Sequence, residues 1–186
     1  AQTTFVAFLP EQLAAGETLF LIVLDEVTGL SLNATYYQMQ PRDAQTYTAT
    51  LPLPLNSVIK YRYMRRGSTQ NTEDTALNTP IRYRLYSVMA QGETQDIIAD
   101  WADKSLNRAT GNIQGRVLNA DTNTPLPNMM VTAGGVHYIT DSGGRFSIQG
   151  LPAGTHNLVA YALDGSYQPF QQGAAVGQGL KTNVEL

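Results

Sequence analysis

The chain of 186 residues has no cysteine, one tryptophan (Trp101) and two histidines (His137 and His156). Without thiols there is no disulfide, no thiolate nucleophile and no cysteine-ligated metal. Charge is sparse as well: Asp, Glu, Lys and Arg make up 15% of residues, against about 25% in an ordinary domain. The formal net charge of −3 exerts no global pull toward nucleic acid or anionic lipid. Long apolar runs are also missing. The longest, Leu19 to Leu24, is about a third of a membrane span. No signal-peptide pattern occurs, and the chain opens on Ala1-Gln2 rather than Met, as a processed protein would; any export signal or membrane anchor is expected outside it.

What the chain does have is hydrophobic residue at 42%, enough for packed cores, and a polar surface of Thr, Gln, Asn, Ser, Gly and Tyr. No segment of ten or more residues carries a 3.6-residue apolar period. Short period-two segments bounded by Gly, Pro, Asn and Asp recur throughout, the pattern of sandwiches and barrels. Thr18 to Leu24 reads as a central strand covered on both faces. Val58 to Arg65 is the clearest strand, with Ile59, Tyr61 and Tyr63 on one face and Lys60, Arg62 and Met64 on the other. Ile81, Tyr83 and Leu85 repeat the pattern, with Arg82 and Arg84 opposite, which predicts an exposed Tyr86. Asp96 to Trp101 is expected to close the sheet.

The second half is denser in turns: Asp121 to Asn128, Gly134-Gly135, Asp141 to Gly144 and Gly150 to Thr155. About seven short strands in about 75 residues is a sandwich count. The fold class is therefore all-β: two tandem antiparallel β-sandwiches of immunoglobulin or prealbumin type. They are expected over residues 1–103 and 111–186, with a polar linker at 104–110.

Gly115-x-Val117, Asp121, Pro125-Leu126-Pro127, Val131, Thr140-Asp141-x-Gly143-Gly144-x-Phe146-x-Ile148, Leu151-Pro152-x-Gly154 and Tyr167-x-Pro169 stand in one linear order. In this order the second half resembles the carboxypeptidase regulatory-like domain, a prealbumin-like sandwich. The resemblance implies a non-catalytic stabilising or spacer module outside the cytoplasm. In the first half, Leu19 to Leu24, Met39, Thr50-Leu51-Pro52, Ile59-Lys60-Tyr61-Arg62-Tyr63, Glu73 and Ile81-x-Tyr83 resemble a starch-binding carbohydrate module. That family grips its sugar chiefly with tryptophans. Here Leu30 and Thr72 stand near those places, and only Arg62 matches a basic residue beside the family's sugar platform.

Sugar recognition needs flat aromatic faces and hydrogen-bonding side chains. Tyr36, Tyr37, Lys60, Arg62 and Tyr86 are the binding candidates, while Tyr61, Tyr63 and Tyr83 take the core phase and Trp101 a core or seam role. Six of the twelve Lys and Arg residues (Lys60, Arg62, Arg65, Arg66, Arg82, Arg84) form a basic stripe. The stripe suits an anionic polysaccharide or protein, or discourages pairing at an exposed strand edge. Nucleic acid is not expected as a partner.

No catalytic residue is expected. The chain has no GxSxG, HExxH or phosphate loop. The adjacent pairs Asp25-Glu26 and Glu73-Asp74, expected in loops, lack glycosidase geometry. Neither histidine has an acidic residue at ligand spacing, so no metal or cofactor is expected. Asp141-Ser142-Gly143-Gly144 reads as a turn rather than a calcium loop. Asn33-Ala34-Thr35 is a formal glycosylation sequon. The function these features favour is a non-catalytic carbohydrate-binding module followed by a spacer, in a larger extracellular or cell-surface protein. The alternative is a structural or protein-interaction ectodomain without sugar binding.

Overall fold

A computed structural model describes residues 1–24 and 33–186. Asp25-Glu26 and Leu30 lie outside the described residues. Among the described residues there is no α-helix, and the strands form four sheets. The first half contributes two. One runs in the order β4 (Gln40–Pro41), β5 (Thr46–Pro52), β1 (Gln2–Phe8) and β9 (Gly92–Ile97). The other runs β10 (Asp100–Trp101), β7 (Gln70–Asp74), β6 (Val58–Arg66), β2 (Thr18–Val23) and β3 (Thr35–Gln38), with β8 (Arg84–Ser87) also on β6. The second half contributes β14 (Arg145–Pro152), β11 (Thr110–Arg116) and β17 (Lys181–Glu185), and facing them β13 (Val136–Ile139), β12 (Met129–Ala133), β15 (Gly154–Ala162) and β16 (Phe170–Val176).

The pairing is not wholly antiparallel. β9 returns parallel to β1, and β17 parallel to β11. In each half a late strand settles beside the first after the chain has crossed between sheets, and only a crossover connection permits a parallel pair.

Period-two alternation fills the first core. Phe5 and Ala7, Leu19 and Leu21, Ile59, Tyr61 and Tyr63 all point inward, and Trp101 is fully buried among them. β2 is buried on both faces, as its unbroken apolar run requires: Ile22 and Leu24 pack with Met64 on the side away from the main core. Ile113, Val131, Phe146, Ile148, Leu158, Ala160 and Val176 build the second core. The turns follow local chemistry. Gly134 and Gly135 take φ of 56° and 78° and join β12 to β13, as a two-residue hairpin of primed type needs. Gly144 takes φ 70°, while Asp141 Oδ1 accepts the N–H groups of Gly143 and Arg145, both at 2.9 Å. The carboxylate is committed to its own turn.

The two halves meet along β8. One edge of β8 pairs with β6. Side chains of the second half satisfy the backbone on the other. His137 Nε2 donates to Tyr83 O (3.0 Å), and Asn157 Nδ2 points at Leu85 O (3.5 Å). Gln171 accepts from Ser87 N (3.0 Å) and donates to Ser87 O (3.2 Å), as a neighbouring strand would. Asn157 Nδ2 also donates to Gln171 Oε1 (3.0 Å) and steadies it. An apolar layer of Leu85, Met130 and Val159, flanked by Val58, Tyr83 and Tyr161, lies underneath. The hairpin tip presses on Ile81 so closely that a Cβ on Gly135 would sit 2.6 Å from Ile81 Cγ2. Unpaired edge groups are a liability, and here the second half covers them. The connector is tied down too. Leu106 N donates to Asp100 Oδ2 (2.8 Å), and Arg108 Nη1 donates to Ile98 O (2.8 Å).

Candidate functional site

The sheet register divides the five candidate residues among three places. β3 is an edge strand whose four side chains are all exposed. Tyr36 lies opposite Ile22 and Tyr37 opposite Leu21, so the two tyrosines take opposite faces. Tyr36 and Tyr37 are 46% and 36% exposed. With Gln38, Gln40, Thr48 and Thr50 they line a shallow groove of about 490 Å³ at the β3–β4 side of the first sandwich.

Lys60 and Arg62 stand on the outer face of β6. Arg62 and Tyr36 both lie opposite Ile22, from the strands flanking β2, so they share that face. Lys60 Nζ sits 5.1 Å from the centroid of the Tyr83 ring. Tyr83, expected in the core, is half-buried on this outer side near the joint.

Tyr86 is not exposed. It is 6% accessible and packs edge-on to Phe5, with centroids 5.9 Å apart. Burial raises its phenol pKa. The cause is register: β8 pairs Ile59 with Tyr86 and Tyr61 with Arg84, so residues 84 and 86 take the core phase of β6. The alternate residue Leu85 faces the second half instead. An apolar strand residue at 85 and an arginine at 84 point the expectation the wrong way, because both faces of β8 are covered.

Arg84 enters the core as part of a charged cluster that the local pattern did not reveal. Its guanidinium donates to Glu73 from Nε (3.0 Å) and Nη2 (2.7 Å), to Asp96 from Nη1 (3.4 Å), and to Ile97 O (3.0 Å). Asp96 Oδ2 accepts the phenol protons of Tyr61 (2.8 Å) and Tyr63 (2.7 Å), and Glu73 Oε1 also accepts Tyr63 N (3.1 Å). Glu73, expected in a loop, is fully buried on β7. Burial alone lowers the pKa of Arg84, but the Glu73 and Asp96 carboxylates overcome this and hold it above its ordinary value. Burial, then the Asp96 charge, raises the pKa of both tyrosines. The only hint in sequence is that Arg84 and Tyr86, like Thr94 and Asp96, alternate with residues of another type.

Several other titratable groups are engaged as well. Arg65 reaches Glu17 (3.2 Å) and pairs with Asp103, and Lys104 pairs with Glu11. His156 Nε2 donates to Pro152 O (2.6 Å), and burial lowers the pKa of His156 and of His137. Thr72, where the first-half resemblance wants a tryptophan nearby, is half-buried on β7. Among the described residues no group of three or more His, Asp or Glu side chains could hold a metal ion, and no helix is long and apolar enough to cross a membrane.

Gly144, Phe146, Ile148 and Pro152 sit in the second half as turn, core and corner residues, and the comparison with known families agrees with that arrangement. Residues 112–186 match the carboxypeptidase regulatory-like domain. The match covers the second half and does not extend to the first. No curated protein sequence matches the chain. Among solved structures, GBS52, the minor pilin of Streptococcus agalactiae, is 14% identical with a TM-score of 0.36, covering 100% of this chain and 94% of that one. Shaft pilin SpaA of Lactobacillus rhamnosus GG is 9% identical with a TM-score of 0.31, covering 99% and 96%. The TIE protein of Bacillus anthracis is 10% identical with a TM-score of 0.35, and the chain spans 34% of its length.

Proposed function

We propose that this chain is a non-catalytic structural or protein-interaction segment of a larger secreted or cell-surface protein. In this reading residues 1–103 and 111–186 are two sandwiches, 104–110 is a short connector, and the whole acts as one rigid unit. The joint carries the proposal. Three side chains of the second half take the place of a strand along β8, and an apolar layer seals it. A flexible tether between independent modules has no need of such a seam. The carboxypeptidase regulatory-like match supports a spacer role, and the cysteine-free, charge-poor surface suits an exported chain. The groups best placed for acid–base work, Glu73, Arg84 and Asp96, are sealed in the core and are one another's partners. Scanning calorimetry tests the rigid unit: one transition is expected, with equal calorimetric and van't Hoff enthalpies. Two separable transitions would reduce the seam to an incidental contact.

A second reading, neutral carbohydrate binding, is favoured by the groove at β3 and β4. Its named lining is aromatic, amide and hydroxyl, without a charge, which is the chemistry that stacks on and hydrogen-bonds to a sugar. Titration with maltoheptaose should then give binding that Tyr37→Ala weakens by about 1 kcal/mol or more. No binding at millimolar sugar eliminates this reading.

A further inference from the structure

The basic residues of the first half separate into two groups once the structure is known. Arg65 and Arg84 are drawn inward and spent on ion pairs with Glu17, Asp103, Glu73 and Asp96. Lys60, Arg62, Arg66 and Arg82 form no ion pair among the described residues. Three of these four, each half-buried, share the outer phase of β6, with buried Met64 between Arg62 and Arg66. At a rise of about 3.3 Å per residue the row from Lys60 to Arg66 spans roughly 20 Å. Its position removes the explanation that such charges guard a sheet edge. β6 is an interior strand, with β2 along one side and β7 and β8 along the other.

Nor are these cations loose in solvent. The Arg66 guanidinium stacks 4.5 Å from the Phe20 ring centroid and 6.0 Å from that of Tyr36. Lys60 lies over Tyr83. Among the described residues, Arg62 Nε and Arg66 Nε have no hydrogen-bond partner. Charged heads held over aromatic rings lose little freedom on binding. Exposed Tyr36 adds a flat face beside them.

We infer that the outer face of β6 is a docking surface for an acidic polysaccharide, held by Lys60, Arg62 and Arg66 with Tyr36 as a stacking face. The charge of the row calls for an anion, and its length for an extended chain. Arginine forks fit carboxylates in bidentate fashion. An acidic peptide fits less well, because extended peptides draw affinity from main-chain bonds at a free sheet edge, and the backbone of β6 is taken on both sides. Nucleic acid is disfavoured by the surrounding field: residues 1–103 hold seven basic and eleven acidic residues, a net of −4. A uronic-acid chain offers carboxylates, hydroxyl acceptors and C–H faces together.

The test immobilises the 186-residue chain and titrates it with sodium polygalacturonate, dextran, poly-L-glutamate and duplex DNA. Polygalacturonate should bind, more weakly by about ten-fold or more at roughly 0.5 M salt, and dextran should not. Lys60→Gln/Arg62→Gln/Arg66→Gln should lose about ten-fold or more in affinity, and Arg62→Gln alone about three-fold; the single variant guards against misfolding of the triple. Arg116→Gln/Arg145→Gln/Lys181→Gln, an equal charge change on exposed residues of the second half, should stay within about two-fold. The proposal is overturned if polygalacturonate fails to bind, if both triple variants lose equally, or if poly-L-glutamate or DNA binds as tightly at equal charge.

Discussion

Arg84→Ala is expected to destabilise the protein by about 3–5 kcal/mol, read from chemical denaturation. The reason lies in what remains. Arg84 is 3% exposed and is the cation facing Glu73 and Asp96, themselves 0% and 4% exposed. Truncation leaves two carboxylates in a core without their counter-charge, and a buried charge without a partner costs several kcal/mol. Neither carboxylate can turn to water, because Asp96 also holds both tyrosine hydroxyls and Glu73 the Tyr63 amide. The intact cluster need not itself be strongly stabilising, since desolvation offsets much of the attraction. What it supplies is a demand: β7, β8 and β9 must bring these three residues together, and a slipped register cannot. A loss below about 1 kcal/mol would mean that the cluster is solvated, because surface ion pairs contribute no more than that.

Tyr86→Ala should cost about 3–5 kcal/mol of stability, in the range of large aromatic deletions from a core. Tyr86→Phe should stay within about 1 kcal/mol, since the ring and not the hydroxyl does the packing. The ring sits edge-on to Phe5, next to β9. An exposed tyrosine engaged only with a ligand would behave otherwise, with the alanine variant within about 0.5 kcal/mol of the parent. Urea denaturation of both variants separates the two cases. Equal, small effects would return Tyr86 to the surface and reopen its candidacy as a binding residue.

Phe5, Ile59, Tyr61, Tyr63, Phe146 and Ile148 were legible as core from alternation, because a strand offers a side chain only two directions. The turns at Gly134-Gly135 and Asp141 to Gly144 were legible because positive φ and a carboxylate that accepts its own backbone are local matters. Tyr36 and Tyr37 stand exposed on β3, while Lys60 and Arg62 are half-buried on the outer face of β6. The burial of Tyr86 and Arg84 was not legible, because the alternation of β8 separates two faces without saying what each face meets. Glu73 and Asp96 were hidden for a related reason: their partners come from strands more than ten residues away.

The amino-acid order by itself determined that the chain folds as strands, where the turns fall, and that its second half matches the carboxypeptidase regulatory-like domain. Those properties follow from side-chain period, backbone torsion and short-range hydrogen bonding. Only the tertiary structure decided which basic residues are consumed inside and which remain as a row on β6, how β8 is covered, and that late strands run parallel to first ones. These depend on contacts distant in sequence, where burying a charge or an edge becomes tolerable only once its partner has arrived.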